Sequence, residues 1–290
     1  LMTLKIVVFG ATGLLGSSLV TFLNKSGNQV ITIGRSSSNQ HQCNILNQNE
    51  VDEVLMKIDP DVILNLVALT DVDFCEKNPH KAFEINVNSV KTIVEFIKKF
   101  KNNTRLIHIS SDQLYNGVGP HSEENISLTN YYAFSKYAGE LIANTVPSLI
   151  LRTNFFGKSN CINRTSFSDW LYKNISDKNE IFLFDDVLFS PLSIQTLCEK
   201  ISSLISSEMV GIFNIGSNNG MSKADFAFLF ANNLNLKNDN MKVISISDAK
   251  FIKTYRPKDM RLNLEKIETS MLISLPILAD EITRVCKDYE

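Results

Sequence analysis

The segment Lys5–Gly16, KIVVFGATGLLG, constrains the fold of this chain more than any other. Lys5–Phe9 is rich in β-branched residues and reads as a buried strand. The apolar spacing of Leu14–Lys25 reads as a helix that Gly27 stops. Between them stand Gly10, Gly13 and Gly16. Here the chain must turn tightly, open its backbone to a bulky anion and enter a helix packed close to the sheet. Glycine suits each step, because it tolerates positive φ and has no side chain in the way. The helix start then offers free N–H groups to a phosphate. At the opening of a strand–helix–strand unit, the three glycines predict a dinucleotide-binding loop.

The alternation continues along the chain. Gln29–Ile33, Asp61–Leu66, Leu106–Ser110 and Ser148–Leu151 read as strands, and Gln48–Ile58, Lys81–Phe100 and Tyr132–Ala143 as helices. The long helix is expected to turn Phe83, Val87, Val90, Val94 and Ile97 inward. Strands alternating with helices predict an α/β fold, a doubly wound parallel sheet with right-handed crossovers. The second half is less regular. It shows helical patterns over Phe167–Ile175, Ile194–Ile205, Lys223–Leu234 and Pro276–Lys287, and strands over Ile181–Phe184 and Ile212–Ile215. The late elements are expected to return to the sheet.

Charge narrows the partners. Lys plus Arg is 29 against 31 Asp plus Glu in 290 residues, a formal charge of −2, which argues against a nucleic-acid binder. With 44% hydrophobic and 21% charged residues the chain can bury a core without disulfides or metal. Cys43, Cys75, Cys161, Cys198 and Cys286 are widely spaced and odd in number, so they read as reduced thiols of a cytoplasmic protein. His41, His80, His108 and His121 show no metal-ligand spacing, and no metal is expected. Lys5 before an apolar run resembles a leader, but the three glycines break it. No run reaches the ~18 apolar residues that would span a membrane.

The end of the second strand bears on the choice of cofactor. It reads Ile33-Gly34-Arg35-Ser36, with no acid before Glu50 to accept from a ribose 2′-hydroxyl. Arg35 can pair with a 2′-phosphate instead, which favours NADPH, with NADH as the alternative. A solvated loop charge is the other reading of Arg35. Further on, Tyr132 and Lys136 lie one helical turn apart on one face. An ammonium beside a phenol favours the ionised phenol, so the pair can move a proton near neutral pH. Ser111, just past the fourth strand, faces the ligand crevice of such a sheet and can donate to a carbonyl oxygen.

Together these residues resemble the extended short-chain dehydrogenase/reductases, and within them the dTDP-4-dehydrorhamnose reductase family. The resemblance runs through GATGLLG (10–16), NLVALTDVDFCEKNP (65–79), AFEINV (82–87), ISSDQLYNG (109–117), YYAFSKYAGE (131–140), RTNFFG (152–157) and RPKDMRLN (256–263). It implies a Rossmann-type domain over residues 1–153, with elements of about 185–215 returning to it. A smaller C-terminal domain, mainly substrate-binding, would span 154–290. It implies NADPH-dependent reduction of the 4-keto group of a nucleotide-activated 6-deoxyhexose. Tyr132 would be the proton donor, and Lys136 and Ser111 its catalytic partners. The cofactor would be held by Gly10, Thr12, Gly13, Leu14, Gly16, Arg35, Ala68, Leu69 and Thr70, together with Tyr132 and Lys136. Asn44 stands near the family's adenine-contacting Asp. Ser111, Asp112, Arg152, Phe155 and Arg256 would lie on the substrate side, with Arg256 pairing with the nucleotide diphosphate. Asn86 matches a common helix Asn and receives no catalytic role. Gln113 departs from the family's aromatic after the Asp, and Tyr115 lies two positions further on. A homodimer is one arrangement the resemblance suggests. Two other readings share the same motifs: a nucleotide-sugar epimerase or dehydratase holding NAD tightly, and a non-catalytic regulatory subunit of the methionine adenosyltransferase type.

Overall fold

The computed structural model describes residues 3–100, 103–161 and 164–290. Two compact units emerge. The first comprises Leu1–Ser111, Asn130–Leu151 and Cys198–Ile212; the second comprises Asp112–Thr129, Arg152–Leu197 and Phe213–Glu290. The segment returning to the first unit is thus shorter than the expected 185–215, and residues 112–129 group with the second unit.

The first unit opens with β1 (Lys5–Phe9), α1 (Leu14–Asn24), β2 (Gln29–Gly34), β3 (His41–Gln42), α2 (Gln48–Ile58) and β4 (Val62–Asn65). Next come α3 (Val72–Lys77), α4 (Pro79–Phe83), a π-helical turn over Glu84–Asn88 and α5 (Ser89–Phe100). Then follow β5 (Arg105–Ile109), α6 (Tyr131–Ala143) and β6 (Ser148–Thr153). The remaining elements are β7 (Phe155–Phe156), α7 (Phe167–Ser176), β8 (Ile181–Phe184), β9 (Leu188–Phe189), β10 (Leu192–Ser193) and α8 (Ile194–Ile205). The chain ends through β11 (Gly211–Ile215), β12 (Met221–Ser222), α9 (Lys223–Asn233), β13 (Met241–Ile244), α10 (Glu265–Met271) and α11 (Leu278–Cys286).

The main sheet has seven strands in the order β11-β6-β5-β4-β1-β2-β3, and β1 through β6 pair in parallel. The order reverses at β1, which lies between β2 and β4, so a crevice opens beyond the carboxyl ends of those strands. Register aligns the ends: Phe9 pairs with Ile33 and Asn65, and Asn65 pairs with His108. Loops 10–13, 35–39, 66–70 and 110–111 therefore leave one rim. The apolar runs become the core expected of them, with Val7, Phe9, Ile33, Ile63, Leu106 and Ile150 packing with Val51, Leu55, Val90, Ile93 and Ile97 of the helices. Arg105 ties the returning segment down, donating to the carbonyls of Leu204 (2.8 Å), Ile205, Ser207 and Met209.

One expectation fails within this unit. The helix expected over Lys81–Phe100 is interrupted by the π turn, whose extra residue rotates the stripe that precedes it. Phe83 is accordingly 44% exposed, whereas Val87, Val90, Val94 and Ile97 are buried as expected.

The second unit has its own core, in which Phe156, Leu171, Leu183, Phe189, Phe226, Phe230, Leu278 and Ile282 pack together. Phe156 meets Phe226 edge-on at 4.8 Å. Short parallel pairs, β7 with β10 and β8 with β13, frame this core. Among the described residues no helix is long and apolar enough to cross a membrane.

Candidate active site

The glycine loop adopts the geometry its sequence requires. Gly10 has φ +84°, and a Cβ there would stand 3.0 Å from the Leu66 carbonyl carbon. A Cβ on Gly16 would fall 2.2 Å from the Gly10 oxygen, so α1 can approach β1 this closely only with glycine. The Gly13 N–H donates to Gly10 O at 3.1 Å, and Gly13 opens α1 with no side-chain cap. No acidic residue occupies the first turn of α1. Its free amides therefore offer an anion a site with no competing carboxylate. A Cβ on Gly13 would intrude to 3.3 Å from Gly10 O. This cradle fits a dinucleotide pyrophosphate. Thr12 is exposed on the loop and Leu14 is half-buried.

Arg35 leaves the end of β2 on an exposed turn. The turn is set by Asn39, which donates to Ser36 O at 3.0 Å and fills the space a Gly34 side chain would need. Gln42 holds the Arg35 carbonyl at 3.2 Å. No acid lies in this turn, and Glu50, the next acid along the chain, accepts from Asn44 N (2.7 Å) and Asn47 Nδ2 (2.8 Å). Asn44 is exposed, and its Oδ1 is engaged by Leu46 N at 3.2 Å, which makes it a turn former.

The loop carrying Ala68, Leu69 and Thr70 is pinned at one point. Asn86 accepts from Leu69 N at 2.7 Å and donates to Leu69 O at 3.0 Å. It also donates to Ser135 Oγ at 2.8 Å, and that hydroxyl donates to Tyr132 O at 2.8 Å. One buried amide, on the π turn, therefore couples the loop to α6. At the root of the loop, Asn65 accepts from Val67 N at 3.1 Å and meets His108 Nδ1 at 3.3 Å. His108 is fully enclosed, and burial together with the nearby Lys136 charge holds its pKa well below the usual imidazole range.

Asn130 caps α6 by accepting from Ala133 N at 2.8 Å, which fixes the start of the helix one residue before Tyr132. Tyr132 and Lys136 are both buried, at 6% and 2% exposure. Lys136 Nζ donates to Ile109 O at 2.7 Å, so its ammonium sits at the end of β5. Burial lowers its pKa to about 8, partly opposed by Glu140. Ser110 and Ser111 follow Ile109 and are both 6% exposed. The Ser110 hydroxyl is enclosed with no partner among the described residues, whereas Ser111 has an interaction partner.

Within the second unit the expected substrate residues part company. Asp112 is buried and accepts from Asn154 Nδ2 at 2.7 Å. Phe155 is half-buried on β7, opposite Leu192. Arg256 is half-buried, and its field reaches Lys223. Arg152 does not belong with them. It is 1% exposed and donates to Tyr115 OH at 2.9 Å and to Glu123 O. Tyr115 in turn donates to Asn214 Oδ1 at 2.6 Å and stacks on His121 at 5.2 Å. Arg152 is therefore the centre of a buried polar network, which corrects its expected place on the substrate side. Tyr115 is equally enclosed, so it does not replace the family aromatic that Gln113 lacks.

A family profile described as the RmlD substrate binding domain matches residues 4–290. The chain belongs to that family. Among curated relatives, the dTDP-4-dehydrorhamnose reductase of Shigella flexneri is 27% identical over 94% of each chain. Methionine adenosyltransferase 2 subunit beta of Pongo abelii is 25% identical over 91% of this chain and 82% of its own. In fold, the chain matches a dTDP-4-dehydrorhamnose reductase from Bacillus anthracis solved with NADP. The TM-score is 0.89 at 24% identity, covering 99% of this chain and 100% of that one.

One residue of this family member, Asn86, holds the 68–70 loop to α6 although its sequence position points to no catalytic role. Asn86 was visible as a polar residue within the buried stripe of a helix, which is the one signal that could have singled it out.

Proposed function

We propose that this chain is an NADPH-dependent reductase of the 4-keto group of a nucleotide-activated 6-deoxyhexose, as in dTDP-4-dehydrorhamnose reductases. The observation that carries the reading is the buried Tyr132–Lys136 pair on α6, with the Lys136 ammonium held at the carboxyl end of β5 by Ile109 O. Family membership supplies the substrate class, and the glycine cradle with Arg35 supports NADPH.

NADPH, when bound, supplies the hydride. Every other part of the work falls to side chains of the protein. The backbone of Gly10–Leu14 and the first turn of α1 hold the pyrophosphate, with Thr12 on the loop and Gly16 allowing the close approach. Arg35 pairs with the 2′-phosphate, and Ala68, Leu69 and Thr70 line the cofactor. Tyr132 holds its phenolic proton for the ketone oxygen and releases it as that oxygen gains charge. Lys136, protonated at neutral pH, stabilises the phenolate that results. Ser111 donates to the same oxygen, and a fixed donor aimed at developing charge is worth about 3 kcal/mol. Asp112, Phe155 and Arg256 form the substrate side.

The likeness to methionine adenosyltransferase 2 subunit beta supports one second reading, a regulatory subunit without turnover. One assay separates the two. The protein is mixed with NADPH and dTDP-4-keto-6-deoxy-L-mannose and absorbance at the nicotinamide band is followed. Steady NADPH loss that falls about 100-fold or more in Tyr132→Phe is the expected result. No NADPH loss with any nucleotide keto-sugar would overturn the reductase reading.

A further inference from the structure

The second unit holds a cavity of about 650 Å³ that is lined by none of the residues given above to cofactor, proton transfer or substrate. Its size is that of a small-molecule site. The walls come from separated stretches of chain, around Pro120, Ser190, residues 217–220 and residues 261–269. Hydrogen bonds fix these stretches in place. Ser217 N donates to Ser190 O at 2.9 Å, Leu262 N to Ser190 Oγ at 3.0 Å, and Asn218 N to Pro276 O at 2.8 Å. Asn218 Nδ2 also donates to Leu275 O at 2.9 Å. The hollow is therefore preformed.

Its lining is polar, and part of that polarity is unspent. Ser217 is 1% exposed, and its hydroxyl has no partner among the described residues. A buried hydroxyl left unpaired is destabilising, and alanine would fill the position without that cost. Ser190 Oγ accepts from Leu262 N and keeps its own proton to give. Asn263 spends Oδ1 on Glu265 N at 2.9 Å and keeps its amide hydrogens. Glu268 spends Oε1 on Asn218 Nδ2 (2.9 Å) and Leu275 N (2.6 Å) and keeps Oε2. Charge selects among ligands. An anion would meet the Glu268 carboxylate. A cation would meet the guanidinium of Arg261, because Arg261 lines the cavity whereas its partner Asp259, bound at 2.9 and 2.7 Å, does not. A neutral ligand meets neither penalty. Hydroxyl groups suit the rest, since each one donates and accepts and so serves a carboxylate oxygen, an amide N–H or a serine in turn. Pro120, Leu262 and Leu264 add apolar surface for C–H faces.

We propose that this cavity is a carbohydrate-binding site that takes a neutral mono- or disaccharide through Ser217, Ser190, Asn263 and Glu268. The site uses no residue of the reductase machinery and does not rest on the reductase reading. One sugar hydroxyl supplies the partner that Ser217 lacks, a second donates to Glu268 Oε2, and the Asn263 amide donates to a sugar oxygen. Glu265 and Thr269, which also line the cavity, are exposed, so the ligand keeps part of its water and dissociation constants of about 1 mM are expected.

The test is saturation-transfer NMR on the full chain with NADP⁺ and dTDP at saturation, so that cofactor and substrate sites are filled. L-rhamnose, D-glucose, N-acetyl-D-glucosamine and maltose are the sugar probes. Inorganic phosphate and n-butylamine, followed by calorimetry, are the charged ones. At least one sugar should bind saturably. Ser217→Ala, which removes only the unpaired hydroxyl, should weaken that sugar about 10-fold, as should Glu268→Gln. Melting temperatures establish that the variants are folded, and NADP⁺ binding should be unchanged in both. If no sugar binds, if a folded Ser217→Ala binds the sugar as the parent does, or if a sugar binds only when dTDP is left out, the proposal is overturned. Phosphate or butylamine binding that depends on Ser217, in place of sugar binding, would overturn it as well.

Discussion

Replacing Asn86 by alanine should damage the cofactor loop more than any other single change outside the catalytic pair. Asn86 is 1% exposed and makes three hydrogen bonds, two to Leu69 at 2.7 and 3.0 Å and one to Ser135 at 2.8 Å. At about 1 kcal/mol net each, their loss amounts to roughly 3 kcal/mol. The cost can appear in two places. If the loop stays closed, the Leu69 N–H is stranded and the Leu69 carbonyl keeps only a long contact from Cys75 Sγ at 3.6 Å, so the penalty falls on stability. If the loop opens to water, the penalty falls on the bound state of the cofactor instead. The assay therefore measures both, by thermal melting of the free protein and by fluorescence titration of NADPH. A fall in melting temperature of about 5–10 °C is expected when stability bears the whole cost. A loss in NADPH affinity of about 100-fold is expected when the loop bears it. Intermediate sharing must still sum to about 3 kcal/mol. Asn86→Ala melting within a degree of the parent and binding NADPH equally well would refute the loop-clamp reasoning.

Other outcomes follow from the same geometry. Lys136 has its pKa lowered to about 8, so it is charged below that pH and neutral above it. Reduction measured as kcat/KM should accordingly hold steady near neutrality and fall above about pH 8, and a profile still rising through that region would contradict the role of the ammonium. Arg35→Ala should raise KM for NADPH at least about 10-fold and leave KM for NADH unchanged, as steady-state kinetics with both cofactors will show. Gly16→Ala places a Cβ 2.2 Å from the Gly10 oxygen, so dinucleotide binding in a titration should be lost or the protein should melt earlier.

The first unit was readable because its signals are local. Hydrophobic runs one strand long, and glycines where a strand must turn into a helix, are written within a dozen neighbouring residues. The break at Glu84–Asn88 was not readable, since a π turn adds a residue without changing composition, and it misplaced Phe83. The second unit depends on partners far apart in the chain. Arg152 looks like a ligand-facing arginine until Tyr115 and Glu123 are seen to surround it. For buried polar residues the residue type was visible early, and the role depended on which neighbours the fold supplied.

Isotope transfer tests the redox assignment most directly. NADPH deuterated at the nicotinamide C4 is incubated with the protein and dTDP-4-keto-6-deoxy-L-mannose, and the product is read by mass spectrometry and NMR. Deuterium from one face of the cofactor should appear at carbon 4 of the sugar, and Tyr132→Phe should suppress its appearance. A sugar that is epimerised or left untouched with no label at that carbon would contradict the account.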